Sequence, residues 1–307
     1  MHFKRRPKYQ LNYTSGFVTI IGSPNVGKST LLNTLLGEKI AAVSPRPQTT
    51  RTKISGIITD ANSQIVLLDT PGIQTPKNRL GNYMKNITDQ TATQSDILIY
   101  MLDVSKYNFE KEMQKIETLK QATLFLVINK IDLIKKAQLL PIMSSFSETG
   151  KFNEIIPLSA KKQDGIDMLI DCLKRYLPQG PKFFPDDIIS DQPERQICSE
   201  LIREKMMRLL GDEIPYGTAV VIEKMEYNET KNLTSITSII YCERQSHKSI
   251  IIGKDGAMLK KIGSLARSDI QKFLGARIFL QLWVKVSDNW RNSYSALKDF
   301  GYTDSDL

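Results

Sequence analysis

The pattern of apolar and polar positions divides the chain into two parts. Between residues 17 and 177, short apolar runs alternate with longer amphipathic stretches. Runs that are apolar almost throughout are typical of central strands, covered on both faces, in a mostly parallel α/β sheet. Such strands are predicted at residues 17–22, 65–69, 96–103 and 123–129, and the more alternating run 53–59 is predicted to be an edge strand. The stretches 29–36, 79–94, 109–120 and 166–177 are predicted to be helices.

The second part begins after a proline-rich segment. Residues 178–193 contain four prolines and one glycine, which favours an extended linker because proline disfavours helix at the residue before it. Beyond it we predict a helix at 194–210, a β-hairpin from 218–227 and 233–243, a helix at 257–274 and a strand at 278–286. We therefore expect a basic tail at 1–16, an α/β domain at 17–177, the linker at 178–193 and an α+β domain at 194–307.

A glycine-rich loop follows the first predicted strand and opens the first helix. Residues 22–29, GSPNVGKS, match the pattern G-x-x-x-x-G-K-[ST], in which main-chain N–H groups surround phosphates. Lys28 would reach the β- and γ-phosphates, and the Ser29 hydroxyl would ligate Mg²⁺. The expected phosphate-binding residues are Gly22, Ser23, Pro24, Asn25, Val26, Gly27, Lys28, Ser29 and Thr30.

Two further segments fit the metal and the γ-phosphate. In the motif DTPG at residues 69–72, Asp69 can hold Mg²⁺ through water and the Gly72 N–H can contact the γ-phosphate. The segment SPRPQTTR at residues 44–51 can close over both; we expect Thr50 to ligate the metal, with Thr49 as the alternative. The expected nucleotide-binding residues here are Asp69, Thr70, Pro71 and Gly72, the expected catalytic residues are Lys28, Thr50 and Gly72, and the expected magnesium residues are Ser29, Thr50 and Asp69.

The tetrapeptide NKID at residues 129–132 indicates which base is bound. Asp132 can accept hydrogen bonds from the ring N–H and the exocyclic amine of guanine, and adenine has no donor at those positions. A buried carboxylate that is left unpaired is costly, so we expect Asp132 to discriminate against adenine by about 10⁴ or more. Lys130 would lie along one face of the base, and the Ala160 N–H would meet the guanine carbonyl. The expected base-binding residues are Asn129, Lys130, Asp132, Ser159, Ala160 and Lys161.

Two positions bear on the rate of hydrolysis. Ile73 follows the DTPG motif, where a Ras-like enzyme has a water-orienting glutamine, and isoleucine cannot hydrogen-bond to water with its side chain. We therefore predict slow intrinsic turnover. Asn25 could help to hold K⁺ beside the phosphates, or it could simply stabilise the loop, and both interpretations stay open.

Positive charge is concentrated in the second part. The chain has a net charge of +9 and a sequence pI of about 9.3, which favours a polyanionic partner, either nucleic acid or an anionic membrane surface. Residues 248–285 carry eight basic groups against two acids, a net +6. This segment contains a G-x-x-G loop before a helix, the arrangement with which a KH domain clamps single-stranded RNA. The expected RNA-binding residues are Ile251, Ile252, Gly253, Lys254, Asp255, Gly256, Lys260, Lys261 and Arg267, and Leu259 is expected to line the same groove.

The combined motifs resemble the bacterial Era family of ribosome-assembly GTPases. GSPNVGKST, SPRPQTTR, DTPG, NKID and SAKKQDG, followed by IIGKDGAMLKKIG, carry this resemblance from about residue 17 to 286. It implies a P-loop GTPase domain with a carboxy-terminal type II KH domain, binding near the 3′ end of small-subunit ribosomal RNA, a role in 30S assembly and peripheral membrane association. It also implies a hydrophobic residue in place of the catalytic glutamine, as at Ile73. Ser23 departs from the arginine common in the family, and Asp255 from a neutral or basic residue.

Other features limit the alternatives. Three scattered cysteines favour a reducing compartment, and no apolar run is long enough for a membrane-spanning helix. We expect a cytoplasmic monomer that binds GTP, GDP and Mg²⁺, with K⁺ as a hypothesis and contact with the inner face of the cell membrane left open. The alternatives are another ribosome-associated or tRNA-modification GTPase, an RNA-binding scaffold that does not hydrolyse GTP, and a P-loop ATPase.

Overall fold

The first part of the chain is built on one six-stranded sheet. The computed structural model describes residues 13–121 and 123–302, so residues 1–12 of the predicted basic tail lie outside the described residues. The strand order is β2-β3-β1-β4-β5-β6. Its strands are β1 (Thr14–Gly22), β2 (Ile54–Thr59), β3 (Ser63–Asp69), β4 (Ile97–Asp103), β5 (Leu124–Asn129) and β6 (Glu154–Pro157). Only the β2–β3 pair is antiparallel, which confirms the mostly parallel sheet and the predicted edge strand.

Helices cover both faces of this sheet. They are α1 (Lys28–Leu36), α2 (Arg79–Thr93), α3 (Phe109–Ile116), α4 (Lys136–Ser147) and α5 (Ile166–Tyr176). On one face Ile20 of β1 belongs to a core cluster with Leu31 of α1 and Leu169 of α5. On the other face Leu98 of β4 shares a cluster with helices α3 and α4. Burial on both faces explains why the central strands are apolar throughout rather than alternating.

Three parts of this domain differ from the sequence prediction. Strand β1 begins at Thr14, inside the predicted tail, because it continues its parallel pairing to Ser63 of β3. Helix α4 was not predicted; it contains Pro141, a residue that usually interrupts helices, and most of its residues are exposed or half-buried. Strand β6 was also not predicted, since its four residues leave too short a pattern.

The proline-rich segment 178–193 is not a free linker, because it is hydrogen-bonded to the six-stranded sheet. It forms no helix and contributes no strand to the six-stranded sheet. The Ser15 N–H donates to the Pro178 carbonyl at 3.0 Å, and the Ile57 N–H donates to the Ile189 carbonyl at 2.8 Å. The second bond gives a partner to edge strand β2, whose main-chain groups would otherwise remain open for aggregation.

The second part is an α+β unit. Helix α6 (Glu194–Leu209) is followed by β7 (Thr218–Asn228) and β8 (Leu233–Cys242), then α7 (Gln245–Ile252), α8 (Ala257–Leu274), β9 (Arg277–Val286) and α9 (Tyr294–Asp299). Central strand β8 pairs antiparallel with β7 and parallel with β9. The hairpin is confirmed, and helix α7 is a correction, because the sequence prediction placed no helix before the glycine-bounded loop. With α7 included, the element order is that of a type II KH fold.

The two parts pack directly against each other. Met84 and Ile87 of α2 form an apolar cluster with Trp290, Leu297 and Tyr302 of the second part. The Lys39 ammonium, just after α1, makes ion pairs with Glu204 of α6 at 2.9 Å and Asp269 of α8 at 2.6 Å. The interface thus combines an apolar cluster with ion pairs.

Candidate nucleotide and RNA sites

The predicted nucleotide residues lie at the carboxyl edge of the six-stranded sheet. Strand β1 ends at Gly22, β3 at Asp69, β4 at Asp103 and β5 at Asn129. Carboxyl ends of parallel strands meet at one edge, which is where open α/β sheets bind ligands. The fold therefore brings together motifs that are far apart along the chain.

Glycine is required at both ends of the loop between β1 and α1. The φ angle is 150° at Gly22 and 108° at Gly27. A Cβ atom at Gly22 would lie 2.2 Å from the Met101 carbonyl oxygen, and one at Gly27 would lie 2.4 Å from Asn129 Nδ2. The Lys28 ammonium donates to the Gly22 carbonyl at 3.1 Å, so the chain curls around it. This cradle and the amino terminus of α1 together suit a phosphate chain.

Two buried ionisable groups face each other beneath the loop. Burial lowers the pKa of Lys28 to about 8, partly opposed by the charge of Asp69. Burial likewise raises the pKa of Asp69 to about 6, partly opposed by Lys28 and by hydrogen bonds from neighbouring hydroxyls. Both groups are held where their charged forms are unfavourable. Phosphate beside Lys28 and a cation beside Asp69 would stabilise those charged forms.

Three predicted metal residues come together. Ser29 Oγ donates to Asp69 Oδ2 at 2.6 Å, lies 2.8 Å from Thr50 Oγ1, and Thr50 Oγ1 lies 3.4 Å from Asp69 Oδ2. Asp69 Oδ1 is buried and has no hydrogen-bond partner. Two hydroxyls and a carboxylate with an unused oxygen form a hard oxygen donor set, which fits Mg²⁺.

The structure separates the two threonines that compete for the metal role. Thr50 is buried and points at Ser29 and Asp69. Thr49 Oγ1 instead donates to the Arg46 carbonyl at 2.7 Å and lies 2.8 Å from Ser44 Oγ. Its hydroxyl is thus used within its own turn, and this geometry favours Thr50.

The DTPG motif lies against the phosphate loop. Thr70 is buried and donates to a β1 carbonyl at 2.9 Å, and the Pro71 carbonyl accepts from Thr88 of α2 at 3.2 Å. A Cβ atom at Gly72 would lie 2.9 Å from Pro24 Cα, so glycine allows this close approach. The Ile73 side chain packs against the apolar cluster of α3 and α4.

Asn129 ties the base-binding loops to the phosphate loop. Its Nδ2 donates to the Val26 carbonyl at 2.7 Å, and its Oδ1 accepts from the Ala160 N–H at 3.0 Å. The Lys130 ammonium donates to the Asn25 carbonyl at 2.8 Å and to Asp103 at 2.6 Å. Sequence reasoning missed Asp103, although it is a carboxylate at a strand end, like Asp69.

The environment of Asp132 corrects one expectation. The motif predicts a buried carboxylate, but Asp132 is exposed, and it accepts a hydrogen bond from Ser159 Oγ at 2.6 Å. Lys161 beside it is also exposed. A carboxylate that water can reach loses less when its partner is absent, so selectivity depends on the base itself covering Asp132.

A cavity of about 590 Å³ is lined by the phosphate loop and Lys130, but Asp132, Ser159, Ala160 and Lys161 do not line it. It runs from the phosphate loop past residues 42–50 to Lys130. Lys106, Tyr107 and Glu112 also line it, and none of them was predicted. Lys115 of α3 donates to Ser23 Oγ at 2.8 Å, which places a cation beside the serine that stands where the family commonly has arginine.

The G-x-x-G loop turns sharply between α7 and α8. The φ angles of Gly253, Asp255 and Gly256 are 73°, 50° and 75°. A Cβ atom at Gly253 would lie 2.8 Å from Met258 Cβ, whereas at Gly256 it would meet nothing within 4 Å. Gly253 is therefore needed for packing, while Gly256 faces open space.

The basic residues near the loop are accessible, but one predicted groove residue is not. Ile251 has no exposed surface and belongs to the hydrophobic core, so it supports the groove from behind. Ile252 and Leu259 are half-buried and can still line it. Five side chains on the loop and on α8 are exposed: Lys254, Asp255, Lys260, Lys261 and Arg267.

Comparison with known proteins covers both sites. Residues 17–130 match the family described as 50S ribosome-binding GTPase, and residues 213–291 match the KH domain. GTPase Era of Ruminiclostridium cellulolyticum is 48% identical over 95% of this chain and 98% of its own length. GTPase Era of Clostridioides difficile is 49% identical over 95% of this chain and 99% of its own length.

Two solved structures are similar over nearly the whole chain. A variant of Aquifex aeolicus Era bound to GDP.AlF4- has a TM-score of 0.90 and 37% identity, covering 94% of this chain and 99% of that one. Era in complex with MgGDPNP and nucleotides 1506-1542 of 16S ribosomal RNA has a TM-score of 0.89 and 38% identity, covering 95% and 99%. With the nucleotide motifs at one sheet edge and a KH loop in the same molecule, this chain belongs to the GTPase Era family.

Proposed function

We propose that this protein is a GTP-hydrolysing switch that binds single-stranded RNA at the 3′ end of small-subunit ribosomal RNA and acts in assembly of the 30S subunit. The observation that carries the proposal is its similarity, over 95% of the chain, to an Era structure holding both MgGDPNP and nucleotides of 16S ribosomal RNA. The proposal includes two domains, the α/β domain at 17–177 and the KH domain at 194–307, which are joined by the linker 178–193 and pack against each other.

The residues divide the work of the nucleotide site among them. The main-chain N–H groups of residues 22–30 other than Pro24, together with the Lys28 ammonium, hold the phosphates, and Ser29, Thr50 and, through water, Asp69 would hold Mg²⁺. Bound magnesium supplies positive charge that neutralises the phosphate oxygens. Lys28 compensates the charge that develops on the γ-phosphate, and the Gly72 N–H orients that group.

Guanine selection is assigned to the loops after β5 and β6. Asp132 accepts from the base, the Lys130 stem covers one face, and the Ala160 N–H meets the carbonyl oxygen. The bonds of Asn129 to Val26 and Ala160 support this assignment, because they hold the phosphate and base loops at a constant separation.

RNA binding is assigned to the loop between α7 and α8. Glycines at 253 and 256 let the RNA backbone approach, and Ile252 and Leu259 offer apolar contact to bases. The exposed cations that would meet phosphates are Lys254, Lys260, Lys261 and Arg267.

Three finer assignments belong to the same proposal. We expect K⁺ to accelerate hydrolysis through Asn25, whose Nδ2 donates to the Pro45 carbonyl at 2.8 Å and so links the phosphate loop to residues 44–51. Equal single-turnover rates in K⁺ and Na⁺ would remove this role.

We also expect a cytoplasmic monomer that contacts the inner membrane surface peripherally. No helix in residues 13–121 or 123–302 is long and apolar enough to cross a membrane, and co-sedimentation with anionic vesicles tests the peripheral contact.

The main experiment measures RNA affinity in each nucleotide state. The full chain, with Mg²⁺ and either GDP or a non-hydrolysable GTP analogue, is titrated into a labelled RNA that carries the last nucleotides of small-subunit ribosomal RNA. We expect tighter binding with the analogue and weak binding of a scrambled RNA of equal length. Equal affinity for both RNAs in both nucleotide states would contradict the proposal.

A further inference from the structure

The chain segment that carries Thr50 is held by side chains from the KH half of the molecule. Arg203 of α6 is fully buried, and its guanidinium donates to the carbonyls of Thr49 and Gln48. Glu200, one turn earlier on α6, anchors Arg203 by accepting from its Nε at 2.8 Å. A guanidinium held by a carboxylate is well suited to grip two consecutive carbonyls, because its donors have a planar, rigid arrangement.

The residue on the other side of Thr50 makes the reciprocal contact. Arg51 is fully buried, and its guanidinium donates to the carbonyls of Thr218 at 2.6 Å and Tyr216 at 2.9 Å. It also lies 5.9 Å from the centre of the Trp290 ring. All three partners lie in the second part of the chain. The main chain is therefore fixed immediately before and immediately after Thr50.

These contacts determine where the Thr50 hydroxyl can go. If Thr50 moved away from the other two metal residues, its neighbours would have to move with it. The Thr49 carbonyl would then leave Arg203, or Arg51 would leave the carbonyls to which it donates. Either change would take carbonyl acceptors away from a buried guanidinium, which is strongly unfavourable, and Arg51 Nε already lacks a partner. The KH half thus supports the position from which Thr50 meets the two other metal residues.

We propose that Arg203 and Arg51 are positioning residues of the GTPase centre, through which the RNA-binding half of the molecule holds the Thr50 hydroxyl at the magnesium site. The inference rests on the proposed function only in taking Thr50 as a metal-ligating residue. Because linkage between two sites is reciprocal, binding of Mg²⁺ and GTP through Thr50 also stabilises the docked arrangement of the two halves.

A simpler role would be that Arg203 only fastens the two halves together. Lys39 provides a matched control, because it also bridges the halves through Glu204 and Asp269 but makes no hydrogen bond to residues 48–52. If Arg203 only holds the two halves together, Arg203→Gln and Lys39→Gln should have similar effects on nucleotide binding. If it positions Thr50, only the first should change the magnesium-dependent state.

The test uses the full chain and calorimetric affinities for GDP and for a non-hydrolysable GTP analogue over a range of Mg²⁺ concentrations. We expect Arg203→Gln to keep the GDP affinity within about twofold and to weaken Mg²⁺-dependent analogue binding by about 10- to 100-fold, as for other residues that support a metal ligand. Single-turnover hydrolysis should fall with it. Arg203→Lys, which keeps the charge but not the fork, should recover only part of the loss.

Two further variants make every outcome informative. Glu200→Gln leaves Arg203 in place but loosens it, so it should shift analogue binding in the same direction by a smaller factor. If Arg203→Gln does not fold, Glu200→Gln takes its place in the test, and GDP binding by Glu200→Gln shows that its nucleotide site is folded. Thr50→Ala tests the metal role itself: unchanged analogue binding there would defeat the proposed function. A loss in Thr50→Ala with none in Arg203→Gln and Glu200→Gln, or equal losses in Arg203→Gln and Lys39→Gln, would overturn the positioning role alone.

Discussion

Replacing Asp69 by asparagine should stabilise the nucleotide-free protein while it removes the magnesium site. Asp69 is fully buried, one of its oxygens has no hydrogen-bond partner, and burial raises its pKa to about 6, above its ordinary value of 3.8. The folded protein therefore holds this proton more tightly than the unfolded chain does. Stability that is present below about pH 4 is lost as the pH rises towards 6, because the folded state must then bury a carboxylate.

The size of the effect follows from the pKa difference. A difference of about two units at 1.36 kcal/mol each gives about 3 kcal/mol at pH 7. Asparagine removes this cost but also removes the attraction to Lys28, whose buried ammonium then lacks its counter-charge. We therefore expect a net gain of about 1–3 kcal/mol at pH 7.5 and almost none at pH 4.5.

The assay is thermal unfolding followed by circular dichroism, in buffer with EDTA and without nucleotide. For domains of this size each kcal/mol raises the melting temperature by about 2–4 °C. The same Asp69→Asn protein should lose magnesium-dependent binding of a GTP analogue. Asp69→Glu is the control, since it keeps the charge and should not show the gain. An Asp69→Asn protein that melts below wild type at pH 7.5, or that changes equally at both pH values, would refute the reasoning.

Three other substitutions test the two sites separately. Lys28→Ala should abolish triphosphate binding, because its ammonium, held by the Gly22 and Ser23 carbonyls, lies inside the phosphate loop. RNA affinity measured without nucleotide should stay within about twofold of wild type, and loss of RNA binding under that condition would contradict separate sites. Asp132→Asn should shift preference from guanine to xanthine nucleotides in competition binding, and an unchanged preference would remove Asp132 from base selection. Gly256→Asp should weaken RNA binding by about tenfold or more through repulsion of phosphate, with GDP affinity unchanged. Its Cβ would meet open space, and aspartate tolerates the positive φ of 75° better than most residues do. Unaltered RNA affinity would mean that the loop has only a structural role.

Some features of this protein were set by local sequence. The glycines at 22 and 27 are required by the backbone itself, so the phosphate loop could be recognised from spacing between a strand and a helix. Central strands such as β4 and β5 could be predicted because burial on both faces demands a continuous apolar run. The basic charge of residues 248–285 is likewise a property of the chain, and it indicated a polyanionic partner before any fold was known.

Other features depended on contacts between distant residues. The sequence favours Thr50 over its neighbour Thr49 but leaves both open, and the contacts of Thr49 with Ser44 and Arg46 and of Thr50 with Ser29 and Asp69 support the choice of Thr50. Ile251 is the middle one of three consecutive isoleucines, and only the orientation of helix α7 places its side chain in the core. The NKID motif does not determine whether the Asp132 side chain is buried or exposed.

The arginines at 51 and 203 show the physical reason most directly. In the sequence each is one more positive charge, 152 positions apart from the other. Their roles arise because folding buries both guanidinium groups and supplies main-chain carbonyls from opposite halves of the molecule. The sequence determined which chemical groups were available at each motif. Tertiary packing decided which of these groups became buried and which partners they bonded to. Burial and bonding depend on residues that are distant along the chain, and no local pattern specifies them.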